Sequence, residues 1–300
     1  MGECLTFAIP FYSGRHFLSL AIESVLRQED PNWELVICDD SPRDEGVIGL
    51  IDQFDDPRIR YHKNTTTLGL AENWNRCLAE AKTELVTILH ADDMLLKNYC
   101  GLMRDAARKY SDAVGLFCDA TIINDRGKKI ASVPDLVKRF LRPRSRGPLC
   151  LTGPLSLATL LHGNFIMCPT MCYRVGLLRD RRFDRRWQFV VDLDLFTRLL
   201  MEEETLVGLP DTAYSYRRHN ASATAMQTQN VNRFTEEIAL YNQLAEIGRI
   251  RGWPEVTATA QRKRIIWMNL LYCIGRDAAS LRFGDAKRKA LLLSRTFNDL

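Results

Sequence analysis

The sequence lacks several features that would fix its class at once. It has nine cysteines but no CxxC pair, and Cys168 and Cys172, four apart, have no neighbouring histidine to complete a zinc set. No segment approaches the roughly 20 apolar residues that span a bilayer; the longest candidate, IIWMNLLYCI from Ile265 to Ile274, is interrupted by Asn269. The opening MGECLTFAIPFYSG has neither the basic segment nor the longer apolar core of a secretory signal. These absences favour reduced thiols and a cytoplasmic location over a disulfide-stapled secreted protein. No internal repeat or low-complexity stretch occurs, which argues against solenoids and disordered linkers. The net charge of +4 is too small to imply a nucleic-acid partner. Basic residues are not interleaved with aromatics, and no nucleic-acid-binding module is recognisable, so none is expected.

What is present is an ordinary globular composition, 46% hydrophobic and 26% charged, in 300 residues. That length suits one large domain or one domain with an extension. LTFAI (Leu5 to Ile9) and ELVIC (Glu34 to Cys38) read as buried parallel strands. Between them, Leu18, Ala21, Ile22, Val25 and Leu26 recur at helical spacing, giving a βαβ unit. The alternation continues through a helix over 46–54, a strand RIRYH, a helix over 69–81, the strand LVTIL, a helix over 97–109 and the strand AVGLFC. Residues 1–120 are therefore expected to form an α/β layer on a mostly parallel central sheet. The rhythm then breaks. Lys138 to Gly147 reads as a basic, proline-containing loop, Leu155 to Leu161 as a helix and TMCYRV as a strand. Asp192 to Glu203 reads as an amphipathic helix, AYSYRRH as a late strand, and the chain from Val231 onward as helical.

Two of the strands run into paired aspartates. ELVIC is followed by Asp39, Asp40 and Ser41, and LVTIL is followed shortly by Asp92 and Asp93. In an open parallel sheet, ligands bind beyond the carboxyl ends of the strands. One pair could be a helix cap or turn. Two pairs at the same sheet edge suggest a hard divalent cation, Mg2+ or Mn2+, held by carboxylate together with substrate phosphate.

The segments IPFYSGRHFLSLAIESVLRQEDPNWELVICDDSPRDE and LGLAENWNRCLAEAKTELVTILHADDMLL resemble the N-terminal half of family-2 glycosyltransferases. FIMCPTMCYRVGLLRDRRFD, VVDLDLFTRLL and YSYRRHNAS resemble that family's acceptor-side elements, extending the likeness over roughly Leu5 to Ser222. The resemblance implies an α/β GT-A fold, the Rossmann-like nucleotide-diphospho-sugar transferase fold, and an inverting hexosyl or related transferase. Its donor would be a UDP- or dTDP-sugar; its acceptor would be a glycan, a glycolipid or a small molecule. It also implies a division into a nucleotide-sugar-binding half over 1–120, an acceptor-binding and catalytic half over 121–228, and a helical extension over 229–300. Pro10, Phe11 and Tyr12 would line the base. Asp40 would accept a pyrimidine N–H, with Asp39 supporting its loop. Asn73 would reach the diphosphate. His90, Ala91 and Asp92 would lie at the ribose–diphosphate, and Asp92, Asp93 and His219 would serve the Mn2+ or Mg2+ ion. His90 stands where the family commonly has a further aspartate, leaving open which carboxylate ligates the metal. This departure alone favours the rival reading, a sugar-nucleotide-binding protein without turnover.

The same resemblance makes Asp192 the catalytic base. Taken by itself, Asp192 reads first as a helix N-cap or first-turn acid rather than a catalytic group. Asp194 lies about 200° round the helix, so both cannot face one acceptor. Finally, 261–300 carries nine Lys/Arg against three Asp, or +6, leaving −2 for the rest. Its basic amphipathic helices could rest on an anionic membrane surface, placing the chain at the inner face of the membrane.

Overall fold

The computed structural model describes residues 4–43, 46–131, 133–143, 145, 147–219, 227–229 and 231–297. By internal packing the chain divides into two compact units: Met1–Leu151, Ile166–Arg185 and Glu204–Arg218 form one; Thr152–Phe165, Arg186–Glu203 and His219–Leu300 form the other.

The first unit is built on a nine-stranded sheet. Its strands are β1 (Leu5–Phe11), β2 (Trp33–Asp39), β3 (Ile59–Lys63), β4 (Leu85–Ile88), β5 (Met94–Leu95), β6 (Ala113–Ile123), β7 (Leu149–Leu151), β8 (Cys172–Arg174) and β9 (Thr205–Arg217). The order is β3-β2-β1-β4-β8-β6-β9-β5, with β7 pairing β9. Strands β3, β2, β1, β4, β6 and β9 run one way; β8, β5 and β7 run against them. The sheet is thus mostly parallel. The chain moves outward from β1 to β2 and β3, then returns to β4 on β1's other side. The switch point of the topology is therefore at β1, and the acidic pairs leave the two strands flanking it.

Helices α1 (Arg15–Leu26), α2 (Val47–Ile51), α3 (Leu70–Glu80) and α4 (Tyr99–Lys109) occur where apolar periodicity predicts them. β1 and β2 are buried almost along their whole lengths, so they read as continuous apolar runs. Two polar residues, Ser24 of α1 and Gln28 just past its end, are also buried: the Ser24 hydroxyl accepts the Leu95 N–H at 3.0 Å, while Gln28 donates to the Leu96 carbonyl at 2.8 Å and accepts the Cys100 N–H at 2.8 Å. They fix the segment that leaves the second acidic pair.

The irregular middle differs from expectation. Lys138 to Leu141 is the end of a helix, α5 (Val133–Leu141), because Pro134 sits in its first turn, where proline is tolerated. Arg144 and Arg146 lie outside the described residues. The TMCYRV strand shrinks to β8, preceded by a 3-10 turn at Cys168–Thr170, and α7 (Val175–Leu178) follows directly.

The second unit is helical: α6 (Gly153–Leu161), α8 (Val191–Met201), α9 (Asn232–Ile250), α10 (Pro254–Arg262), α11 (Arg264–Ala279) and α12 (Phe283–Phe297). α8 is more enclosed than an amphipathic helix requires, with Leu193, Asp194 and Thr197 buried beside Leu195, Phe196 and Leu199.

Candidate active site

Asp39 ends β2 almost without exposure. Its Oδ1 accepts the Ser41 N–H at 2.8 Å, the Ser41 hydroxyl at 2.6 Å and the Lys63 ammonium at 3.1 Å; Oδ2 accepts the Tyr61 hydroxyl at 2.7 Å. Burial alone would raise its pKa, but the Ser41, Tyr61 and Lys63 donors outweigh it and hold the carboxyl below the usual range. Asp40 next to it is 3% exposed. Its Oδ1 accepts Asn64 Nδ2 at 2.9 Å and the Leu68 N–H at 2.7 Å, and its Oδ2 accepts the Gly69 N–H at 2.9 Å. Gly69 adopts φ 85, which a side chain would resist, and so brings its N–H to the carboxylate. Asn73 is buried in the same network, accepting from Asn64 at 3.0 Å and donating to the Cys38 carbonyl at 3.1 Å. Its amide is directed at the Asp40 loop.

Pro10 is half-buried, Phe11 is a core residue, and Tyr12 is 56% exposed, so Tyr12 is the aromatic that this loop presents to solvent. The Phe11 carbonyl accepts the Asp40 N–H at 2.8 Å, joining the exits of β1 and β2.

Beyond β4, His90, Ala91 and Asp92 are half-buried and Asp93 is wholly buried. Ligand-capable atoms of His90, Asp92 and Asp93 all lie within 4.8 Å of one another. Asp93 faces inward: Oδ2 accepts the Tyr214 hydroxyl at 3.1 Å and Oδ1 the Arg217 N–H at 2.7 Å. Burial, and next the charge of Asp92, push the Asp93 carboxyl well above the usual range. The Arg217 guanidinium donates to the Asp92 carbonyl at 2.6 Å and to the Asn124 and Asp125 carbonyls at 3.0 and 3.2 Å. It also stacks over Phe17 at 4.8 Å. The Trp74 ring lies 5.2 Å from His90 and edge-on to Phe183 at 5.0 Å, so this residue backs the histidine as well as filling core.

In the second unit, Asp192 is half-buried in the first turn of α8. Asp194 is 3% exposed and paired to Arg198 at 2.8 Å. The turn before α8 is held by Glu236 of α9, whose carboxylate accepts the N–H groups of Gln188 at 3.0 Å, Phe189 at 2.7 Å and Val190 at 3.2 Å. His219 is half-buried and belongs to this unit, and the Asn220 to Ser222 part of its motif lies outside the described residues. Sequence reasoning missed Asn64, Lys63, Arg217 and Glu236. Arg217 stood inside a quoted motif, YSYRRH, whereas nothing local marks Glu236.

Residues 6–166, more than half the chain, match the family model described as Glycosyl transferase family 2. The chain belongs to glycosyl transferase family 2. It is 29% identical over 238 residues to the uncharacterized protein MT1568 of Mycobacterium tuberculosis (strain CDC 1551 / Oshkosh), covering 76% of this chain and 71% of the relative. It is 34% identical over 90 residues to WfgD of Escherichia coli, a UDP-Glc:alpha-D-GlcNAc-diphosphoundecaprenol beta-1,3-glucosyltransferase; that match spans 30% of this chain and 35% of WfgD. Among solved structures, Staphylococcus aureus TarS 1–349 with UDP-GlcNAc superposes with TM-score 0.60 at 15% identity, over 80% of this chain and 66% of that one. The Pyrobaculum calidifontis mannosyltransferase PcManGT, with GDP-Man and Mn2+, superposes with TM-score 0.61 at 14% identity, over 99% and 84%. The fold of this family-2 glycosyltransferase is GT-A.

Proposed function

We propose that this glycosyltransferase moves a sugar, with inversion, from a UDP- or dTDP-sugar to a hydroxyl of a glycan, glycolipid or small-molecule acceptor. The observation that carries this reading is the pair of acid-bearing loops on the two strands flanking β1, each braced by buried partners. Residues 1–120 would be the donor half, 121–228 the acceptor and catalytic half, and 229–300 a helical extension. The complexes of TarS with UDP-GlcNAc and of PcManGT with GDP-Man support a sugar-nucleotide donor. The diphosphoundecaprenol in WfgD's name supports a lipid-linked glycan acceptor.

Tyr12 would pack on the base. A carboxylate has about four lone-pair sites, and Asp40 has three in use, leaving one for a pyrimidine N–H. The residues at 90–93 fit an Mn2+ or Mg2+ ion by donor type and spacing. Asp92 would ligate it with His90 and His219, while Asp93, committed to Tyr214 and Arg217, would set the loop. When bound, the cation would offset charge on the departing nucleoside diphosphate.

Asp192 would act as base. Its neighbour Asp194 is locked to Arg198, and the helix N-terminus favours the ionised carboxylate. The acceptor oxygen forms the new bond to the anomeric carbon as the bond to the diphosphate oxygen breaks on the opposite face, and the acceptor proton passes to Asp192. One displacement inverts the centre.

Asp192→Asn is expected to lower transfer by about 10²–10⁴-fold while UDP binding by calorimetry stays nearly unchanged. Comparable losses in both would refute the assignment.

A further inference from the structure

α11 is apolar on two sides. Ile266, Trp267, Leu270 and Cys273 are buried on one face. On the other, Met268, Leu271, Tyr272, Gly275 and Ala279 are exposed at spacings of three and four residues. A solvated helix face is ordinarily polar. The α11–α12 turn continues the pattern: Leu281 is 77% exposed and Phe283 64%. Leu281 also has φ 59, a left-handed conformation that a branched apolar side chain enters only at a cost. Six of the fifteen exposed large hydrophobic side chains among the described residues fall between Met268 and Leu291. Such concentration marks a contact surface.

Charge selects the partner. Residues 264–297 hold seven Lys/Arg and two Asp, a balance of +5. Both acids are engaged internally: Asp277 is buried and bonded to Lys289 at 2.7 Å and Arg282 at 2.7 Å, and Asp285 is paired with Arg288. Arg264 stands at one end of the exposed stripe, and Lys287 is exposed just beyond the other. A second copy of this chain fits poorly, since parallel or antiparallel helix pairing would set basic ends against basic ends. A surface that is apolar in the centre, basic at its ends and edged by Tyr272 and Phe283 matches the boundary of an anionic bilayer.

We propose that α11 and the α11–α12 turn form a monotopic docking surface that seats the chain on an anionic lipid bilayer. The α12 residues Lys287 and Arg288 add attraction to headgroups, and the apolar side chains enter the headgroup–acyl boundary. The proposal names the partner of the extension and extends the reading of a lipid-linked acceptor, but it does not depend on the donor chemistry.

The test is flotation of the full chain with phosphatidylcholine vesicles containing phosphatidylglycerol, beside pure phosphatidylcholine vesicles. Flotation is expected with the anionic vesicles only, falling as salt is raised. The double variant Leu271→Ser/Phe283→Ser, at exposed positions, is expected to reduce the bound fraction at least about tenfold. Arg264→Glu/Lys287→Glu is expected to do the same. Circular dichroism and UDP binding should match the parent in both, which separates loss of docking from misfolding or from failure of the donor reading. The proposal is overturned by absence of flotation on anionic vesicles, by equal flotation of the variants, or by a concentration-dependent dimer that Leu271→Ser/Phe283→Ser dissolves while the parent ignores vesicles.

Discussion

At the scale of single residues, the acids are visible in the sequence, but what governs them is not. Asp92 and Asp93 read alike as neighbours in a string, yet one is half-exposed and the other wholly enclosed. The difference is made by Arg217, more than a hundred residues later, whose backbone and guanidinium hold both ends of the pair. Lysine cannot replace its fork, because one ammonium does not reach three carbonyls in different directions. Arg217→Lys is therefore expected to weaken Mn2+-dependent UDP binding about 10–100-fold, the usual effect of disturbing a support behind a ligand. It should also lower the thermal midpoint by several degrees, since about 1–3 kcal/mol attaches to each buried carbonyl left without a donor. Calorimetric titration and a melting curve check both; unchanged binding with a lowered midpoint would reduce Arg217 to a merely structural role. Asp39, Asp40 and Asp92 stood out because two like charges at a strand end ask for an explanation, whereas Asp192, in the first turn of a helix, stood out only through the family resemblance. Asn64, Lys63 and Glu236 were illegible because a lone polar residue on a loop or helix carries no such local conflict.

At the scale of elements, the regular alternation was readable through β6, since each helix and strand there has its own period and an apolar face to bury. The middle was not. β8 has three residues, too few for alternation to register, and it runs against its neighbours between β4 and β6. α5 was hidden because its last residues, Lys138 to Leu141, run straight into the basic stretch around Pro143, so both read as one loop. α8 is the element on which the proposed chemistry turns, and α9 fixes its entry through Glu236. Glu236→Ala would strip three N–H groups of their acceptor. The expected cost is about 1–2 kcal/mol, as for loss of a strong cap, with transfer falling about tenfold through misplacement of Asp192. Urea unfolding and kcat measured alongside UDP affinity check this; a change in UDP affinity equal to the change in kcat would argue against it.

At the scale of the whole molecule, acid should be the weak side. Asp277, in the last turn of α11, bonds Lys289 of α12; burial tends to raise its pKa, but Lys289, then Arg276, outweigh it and hold the carboxyl below the usual range. Asp39 is depressed in the same sense by its donors. A carboxyl with a lower pKa in the folded than in the unfolded chain contributes stability above its unfolded value, roughly pH 4, and loses it as pH falls through the folded value. The thermal midpoint should therefore fall steeply below about pH 4. Asp277→Asn should flatten part of that fall while lowering the midpoint at neutral pH, because Lys289 would remain enclosed with its charge. A midpoint independent of pH down to pH 3 would contradict it.

The crowding around Asp40 has a consequence for how occupancy is felt. Two oxygens already hold Asn64, Leu68 and Gly69, so a base N–H that takes the one remaining site in the proposed pose shares its acceptor with those three bonds. Leu68 and Gly69 lead directly into α3, and α3 carries the Trp74 ring that rests on His90. A nucleotide bound in the proposed pose would thus be felt, through the backbone that leads into α3, at the neighbouring strand end where its phosphates would lie.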